Sequence, residues 1–102
     1  MAYRTVVEAG RATVFLDGRI SFRSYPDFRA ATVSALEDLE VQEIYLDMAE
    51  VAFLDSSALG MILHFNQKAI AAAKVLAITR PAPPIATILQ VVNFGKLVTI
   101  LP

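Results

Sequence analysis

The stretch FLDSSALGMILHF, residues 53–65, joins the end of an apolar run to a helical pattern through one acid and two serines. Aspartate and serine are preferred at helix N-caps, because their side-chain oxygens accept hydrogen bonds from amides that the first helical turn leaves unpaired. Apolar side chains at helical spacing follow, and they predict a helix that begins at Ser56 or Ser57 and ends near Ala73. As a helix start, the turn Asp55-Ser56-Ser57 needs no function to explain it.

Strand patterns precede this stretch. Residues 3–8 and 12–17 favour strands that pair as a hairpin across a turn at residues 9–11. Residues 43–48 form a short apolar run typical of a buried strand, and residues 51–54 are predicted to be a connector. The chain therefore reaches the Asp-Ser-Ser turn after three predicted strands.

Helix and strand patterns alternate through the rest of the chain. The predicted starts of two further helices are Ser24 and either Pro83 or Pro84, and two further strands are predicted at 75–78 and 97–101. Leu39 and Ile70 are placed on the core faces of the first and second helices. The order β-β-α-β-α-β-α-β predicts one α/β domain over residues 1–102, with a four- or five-stranded mixed sheet and helices packed on one face.

Composition and charge narrow the classes of function. Nine Lys and Arg residues balance ten Asp and Glu residues, so no electrostatic nucleic-acid surface is expected. The chain has no cysteine and a single histidine, so neither a metal site nor a cofactor is expected, and no catalytic acid, base and nucleophile can be assembled. No segment reaches the roughly 20 apolar residues of a membrane span. We expect a cytoplasmic protein that is not an enzyme.

A phosphate on Ser56 would suit the start of a helix, since free amides and the helix dipole favour an anion there. Phosphoserine brings a charge of about −1.5 to −2. Beside Asp55, that charge would repel a partner docked over the turn while the protein stays folded. The small residues Ser57, Ala58 and Gly60 leave room for such a partner, or they let the helix pack tightly against a neighbouring strand.

The segment VAFLDSSALGMIL, residues 51–63, resembles the signature of the STAS domain family, as found in bacterial anti-sigma factor antagonists. That signature is an apolar strand end, then Asp-Ser-(Ser/Thr)-Gly-Leu-Gly, then an amphipathic helix. VFLDGRIS at 14–21 and VVNFGKLVTIL at 91–101 are similar to flanking segments of the family. The resemblance therefore extends over nearly the whole chain.

The resemblance implies a mechanism. An unphosphorylated antagonist binds an anti-sigma factor that is also a serine kinase of the GHKL type, and phosphorylation of the serine after the motif aspartate releases it. A PP2C-type phosphatase reverses the step. Here Ser56 would be the phosphorylation site, with Ser57 as second choice; Asp55 would orient the loop or the hydroxyl, and Ser57 would cap the helix. Two positions depart from the pattern: Ser21 replaces a frequent acid, which could alter which kinase docks or remove kinase recognition, and Ala58 replaces a glycine.

The predicted partner-binding surface comprises Ser21, Phe22, Arg23, Met61 and Phe65. Met61 and Phe65 lie one helical turn apart and off the main apolar stripe, so they are expected to form an exposed ridge leading away from the phosphorylation site. The alternative is a helix buried on two sides. Such a ridge could also pair two copies of the chain, so a homodimer is a further alternative.

Two other functions fit the sequence. One is a stand-alone STAS adaptor in a two-component or biofilm signalling pathway. The other is a permanently bound, unphosphorylated subunit of a lipid-transport complex, which the 56% hydrophobic composition would suit.

Overall fold

The computed structural model describes residues 3–102. Its strands are β1 Arg4–Glu8, β2 Arg11–Ile20, β3 Glu43–Leu54, β4 Val75–Thr79 and β5 Thr99–Leu101, and its helices are α1 Tyr25–Glu37, α2 Ser56–Ala71 and α3 Pro83–Val91. Two single 3-10 turns occur at Phe22–Ser24 and Phe94–Lys96. The strands form one sheet in the order β1-β2-β3-β4-β5. β1 is antiparallel to β2, and all other pairs are parallel.

The three helices cover one face of this sheet. Each parallel crossover adds the next strand on the same side of the previous one, and crossovers of the same hand place their helices on the same face. Side chains alternate along the strands, so one set lies under the helices. The buried set in β2 and β3 is Ala12, Val14, Leu16, Ile44, Leu46 and Met48. The predicted α/β class, the mixed sheet and the one-sided helix layer are confirmed.

The β1–β2 hairpin closes through a two-residue loop. Glu8 pairs with Arg11, and the loop residues Ala9 and Gly10 have φ values of 50° and 80°. Two successive positive φ angles are the geometry of type I′ turns, whose twist matches that of the flanking strands. Glycine at the second position adopts this conformation without steric cost. The predicted hairpin is confirmed.

Two predicted strand ends are wrong. β2 continues to Ile20 instead of ending at residue 17, and β3 continues to Leu54, so residues 51–54 are strand rather than connector. The two extensions pair with each other in parallel, with Ile20 opposite Leu54 and register shifts around Gly18. Ile20 and Leu54 are 1% and 2% exposed, so ladder hydrogen bonds and burial outweigh the weak strand preference of Gly18.

Two residues predicted on core faces are exposed. α1 ends at Glu37, and Leu39 beyond it is 95% exposed. α2 ends at Ala71, two residues earlier than predicted, and Ile70 in its last turn is 65% exposed. Leu39 follows the last residue of α1 and Ile70 lies in the last turn of α2, so the apolar pattern continues at both positions without a surface that buries it.

Lys74, just after α2, fastens the loop between α1 and β3. It is 7% exposed, and its Nζ donates hydrogen bonds of 2.6 Å to the carbonyls of both Asp38 and Val41. We expect Lys74→Met to lower the free energy of unfolding by about 1–3 kcal/mol, because two carbonyls lose their partner. Urea unfolding followed by circular dichroism measures this. Lys68→Met, at an exposed position, is the control; equal stabilities of the two variants would contradict the role of Lys74.

Candidate functional site

The candidate site lies at the carboxyl ends of β2 and β3, a common place for binding sites in parallel sheets. The two strands end side by side, and the Asp55 amide donates to the Ile20 carbonyl at 3.3 Å. The turn that opens α2 therefore lies against the loop that follows β2, residues 21–24. This contact follows from the long β2–β3 pairing described above.

Asp55 is the N-cap of α2. Its backbone is extended, with φ −100° and ψ 179°, and its Oδ1 accepts hydrogen bonds from the Ala58 amide at 2.9 Å and from Ser57 Oγ at 2.6 Å. The prediction that Ser57 caps the helix is wrong, because the aspartate one residue before the helix reaches the first-turn amide. The Ser57 hydroxyl first, and then the Ala58 amide, hold the pKa of Asp55 below its ordinary value, with a smaller contribution from the Arg19 charge.

The lowered pKa of Asp55 predicts a pH dependence of stability. The folded state favours the ionised carboxylate, so its stabilisation is present above the unfolded pKa of about 3.9 and is lost as the pH falls through the lower folded value. We expect Asp55→Asn to be less stable than the wild type at pH 6, with the difference shrinking toward pH 2. Urea unfolding across this range measures it. A difference that stays constant with pH would contradict the contribution of the charge.

The two serines of the turn have different surroundings. Ser57 Oγ donates to Asp55 and accepts the Phe22 amide at 2.9 Å, so this hydroxyl ties the loop after β2 to the start of α2. Ser56, the first residue of α2, is exposed, and its hydroxyl has no hydrogen-bond partner within residues 3–102. Ser56, the first choice as phosphorylation site, is thus the accessible serine, whereas the hydroxyl of Ser57, the second choice, holds the turn together.

The small residues after the turn divide between the core and the solvent. Ala58 is fully buried, so it packs in the core and leaves no room for a partner; for this residue the tight-packing alternative is the one found. Gly60 faces solvent, and no atom lies within 4 Å of the place its Cβ would occupy. Space beside the turn therefore exists at Gly60 but not at Ala58.

Three of the predicted partner-binding residues lie in the loop after β2. Ser21 accepts the Arg23 amide at 3.2 Å, and its own amide donates to Ser24 Oγ at 3.1 Å, an arrangement that caps the 3-10 turn. Phe22 is 67% exposed, and the Arg23 guanidinium carbon lies 6.0 Å from its ring centroid. Ser21 thus shapes the loop, while Phe22 and Arg23 are presented beside the Asp-Ser-Ser turn.

The predicted ridge of Met61 and Phe65 is wrong. Phe65 is 6% exposed and contacts Phe28 of α1 edge to face, with ring centroids 5.3 Å apart. Met61 is half-buried, and both side chains line a cavity of about 160 Å³ between α1 and α2. α2 is buried on two sides because α1 packs across it, which is the alternative that the sequence left open.

Sequence reasoning missed a second exposed aromatic residue near the site. Phe53 is 39% exposed, and the guanidinium of Arg19, its register partner on β2, lies 4.7 Å from its ring centroid. Strand alternation would have identified Phe53, because it points away from the buried Leu54. The connector prediction for residues 51–54 concealed this signal.

The described residues also bear on other classes of site. Between residues 3 and 102, no three His, Asp or Glu side chains are grouped so that they could hold a metal ion. No helix in that range has both the length and the hydropathy to cross a bilayer.

Comparisons with known proteins agree with this geometry. Residues 5–100 match the family model described as "Mlab, STAS domain". A STAS-domain containing protein of Pseudomonas aeruginosa is 30% identical over 85 residues, which cover 83% of this chain and 82% of that protein.

Solved structures share the fold. An anti-sigma factor antagonist from Mycobacterium paratuberculosis has a TM-score of 0.83 at 17% identity, over 99% of this chain and 85% of its own. The Bacillus cell fate determinant SpoIIAA, in its phosphorylated form, has a TM-score of 0.69 at 21% identity, over 97% and 90%. The anti-sigma factor antagonist SpoIIAA in its unphosphorylated form has a TM-score of 0.67 at 22% identity, over 87% and 82%. With its sequence match and its fold in agreement, the chain belongs to the STAS domain family.

Proposed function

We propose that this protein is a non-enzymatic, phospho-regulated interaction module of the anti-sigma factor antagonist type, acting in the cytoplasm. Its unphosphorylated form binds an anti-sigma factor that is also a serine kinase of the GHKL type. Phosphorylation of Ser56 releases that partner, and a PP2C-type phosphatase restores binding. The whole domain, residues 1–102, acts as one unit in this proposal.

The state of the Ser56 hydroxyl carries the proposal. A kinase needs a hydroxyl that is accessible and not engaged, and Ser56 is exposed and unpartnered within residues 3–102. Its neighbours already satisfy the turn, because Asp55 caps α2 and Ser57 links Asp55 to Phe22. A phosphate can therefore be added to Ser56 without breaking a hydrogen bond that holds the turn.

The surface around Ser56 supports a protein partner. Phe22, in the turn after β2, and Phe53, near the end of β3, are exposed aromatic side chains, and Arg23 and Arg19 lie near their rings. Aromatic and arginine side chains are enriched among residues that dominate binding energy at protein interfaces. A phosphate introduced among them adds a hydrated dianion beside Asp55, which a closely packed interface would have to desolvate.

The comparisons support the same proposal. SpoIIAA, which shares the fold, is known in both a phosphorylated and an unphosphorylated form. The departure at Ser21 bears on which kinase would bind. Because Ser21 caps the adjacent 3-10 turn, it preserves the shape of the loop while removing a negative charge beside Arg23. A partner for this chain would therefore present a less basic surface to that loop.

Affinity capture tests the proposal. Wild type, Ser56→Ala and Ser56→Asp serve as baits in cytoplasmic extract, and the captured proteins are identified by mass spectrometry. We expect a kinase-like partner with wild type and Ser56→Ala that is depleted at least about tenfold with Ser56→Asp. A partner retained equally by all three baits would contradict the switch.

A second candidate is the permanently bound, unphosphorylated subunit of a lipid-transport complex. Large apolar side chains away from Ser56 favour it, since Ile70, Val91 and Leu97 are 65%, 76% and 55% exposed. A stable partner that covers these side chains would remove them from water. The same capture separates the two candidates. A permanent partner would be retained by all three baits and would be lost with Val91→Asp, whereas the switch partner would not require Val91.

A further inference from the structure

The outer edge of β1 has a pattern that is complementary to itself. Within residues 3–102, β1 pairs only with β2, so its other edge is open. Glu8 and Arg11 close a two-residue hairpin loop, which makes them a hydrogen-bonded pair. By alternation, Arg4 and Val6 also exchange hydrogen bonds with β2. The amides and carbonyls of Thr5 and Val7 therefore point outward from the open edge.

The side chains of β1 leave this edge accessible. Val6 and Val7 are 38% and 49% exposed, and Arg4 and Glu8 at the strand ends are exposed as well. The Thr5 hydroxyl is turned inward, where it donates to the Ala31 carbonyl of α1 at 2.6 Å. Glu8 has no ion-pair partner among residues 3–102. The edge thus offers the outward-facing amides and carbonyls of two residues, an apolar centre and a charge at each end.

We propose that β1 forms an antiparallel pair with β1 of a second copy of this chain, with Val6 opposite Val6 on a two-fold axis. In this register Thr5 and Val7 of one copy face Val7 and Thr5 of the other, and they exchange four backbone hydrogen bonds. Arg4 of each copy faces Glu8 of the other. The five-stranded sheet becomes a ten-stranded sheet across an isologous interface.

Charge complementarity selects a second copy as the occupant of this edge. Natural proteins often place charges on edge strands to prevent pairing. In β1, however, Arg4 and Glu8 carry opposite charges and each lies two residues from Val6. The antiparallel pair therefore brings Arg4 of one copy opposite Glu8 of the other, twice. These are non-hydrogen-bonded positions, where facing side chains are closest. The Arg4 guanidinium lies 4.4 Å from the Phe15 ring centroid, which holds it at the sheet surface.

The interface is expected to be weak and reversible. A five-residue strand buries much less than the roughly 1,600 Å² of a standard interface, so the dimer forms only at high protein concentration. The proposal does not depend on the Ser56 switch, because none of the β1 residues belongs to the candidate site. Failure of one proposal therefore leaves the other unaffected.

Cysteine cross-linking tests the register. The chain has no cysteine, so Val6→Cys and Val7→Cys each introduce a single thiol. Position 6 faces itself at a Cα separation of about 4.5 Å, within the range for a disulfide. Position 7 lies about 8 Å from its counterpart, because the two are offset by two residues along the strands. Oxidised glutathione is the oxidant; it accepts two electrons from two thiols and is reduced to two molecules of glutathione.

We expect Val6→Cys to form the covalent dimer at least about tenfold faster than Val7→Cys, although Val7 is the more exposed residue. Random collision would give the opposite order. Equal rates, or a faster reaction at position 7, would overturn the proposal.

Charge variants give a test that needs no covalent bond. Glu8→Arg places like charges opposite each other, and we expect it to raise the dimer dissociation constant at least about tenfold in sedimentation equilibrium. The double variant Arg4→Glu/Glu8→Arg restores the complementarity and should return the constant to within about threefold of the wild type. Circular dichroism confirms that each variant is folded. Monomeric wild type at about 1 mM, or no effect of Glu8→Arg, would overturn the proposal.

Discussion

Phe65→Ala is expected to lower the free energy of unfolding by about 3–5 kcal/mol. The ring is 6% exposed and meets Phe28 edge to face, so its loss removes an aromatic pair and enlarges the cavity between α1 and α2. A typical domain is stable by about 5–15 kcal/mol, so this single change would remove a large share. Urea unfolding followed by circular dichroism measures the shift in midpoint.

Phe22→Ala is the matched control, because it deletes the same side chain at an exposed position. Phe22 is 67% exposed, and we expect its loss to change the free energy of unfolding by less than about 0.5 kcal/mol. The same change should affect partner binding strongly and weaken it at least about tenfold, since Phe22 lies beside the Asp-Ser-Ser turn in the proposed interface. If Phe65→Ala left stability intact, the buried contact between α1 and α2 would be contradicted.

Phosphorylation of Ser56 is expected to lower partner affinity at least about 100-fold, which corresponds to about 2.7 kcal/mol. The phosphate adds about −1.5 to −2 charges next to Asp55. Juxtaposed like charges and the desolvation of an unpaired charge each cost several kcal/mol at a closed interface. The fold should persist, because the N-terminus of α2 favours an anion. Isothermal titration calorimetry with enzymatically phosphorylated and unphosphorylated protein measures the change.

Two variants show whether the position of the charge is decisive. Ser34→Asp adds a negative charge at an exposed position of α1, outside the candidate site, and it should leave affinity within about threefold of the wild type. Ser56→Asp should weaken binding less than phosphorylation does, because it carries one charge and two acceptor oxygens. If Ser34→Asp weakened binding as much as Ser56→Asp, a specific switch at Ser56 would be contradicted.

The pairing of β2 with β3 shows where prediction from sequence failed. Gly18 breaks the local strand pattern, and the predicted connector at 51–54 is short and apolar, so neither segment appears as a strand alone. In the structure they pair with each other, and Ile20 and Leu54 become buried. This mutual support comes from residues more than 30 positions apart, which local propensity does not include.

The predictions that Ser57 caps the helix and that Phe65 is exposed were wrong for related reasons. Several side chains near a helix start can serve as the cap, and the extended backbone of Asp55 selects that residue over Ser57. Helical periodicity places Phe65 relative to Ile62, but it does not reveal that α1 covers a second side of α2.

The sequence by itself determined the order of strands and helices, the mixed α/β class and the place of the Asp-Ser-Ser turn at the start of α2. Those features rest on local periodicity, on turn residues and on a motif contained in one short segment. Only the tertiary structure decided which serine is free, which aromatic residues are exposed and which edge of the sheet is open. These properties depend on contacts between segments that are distant in the chain, because burial and hydrogen-bond partners are set by packing and not by the pattern of any one element.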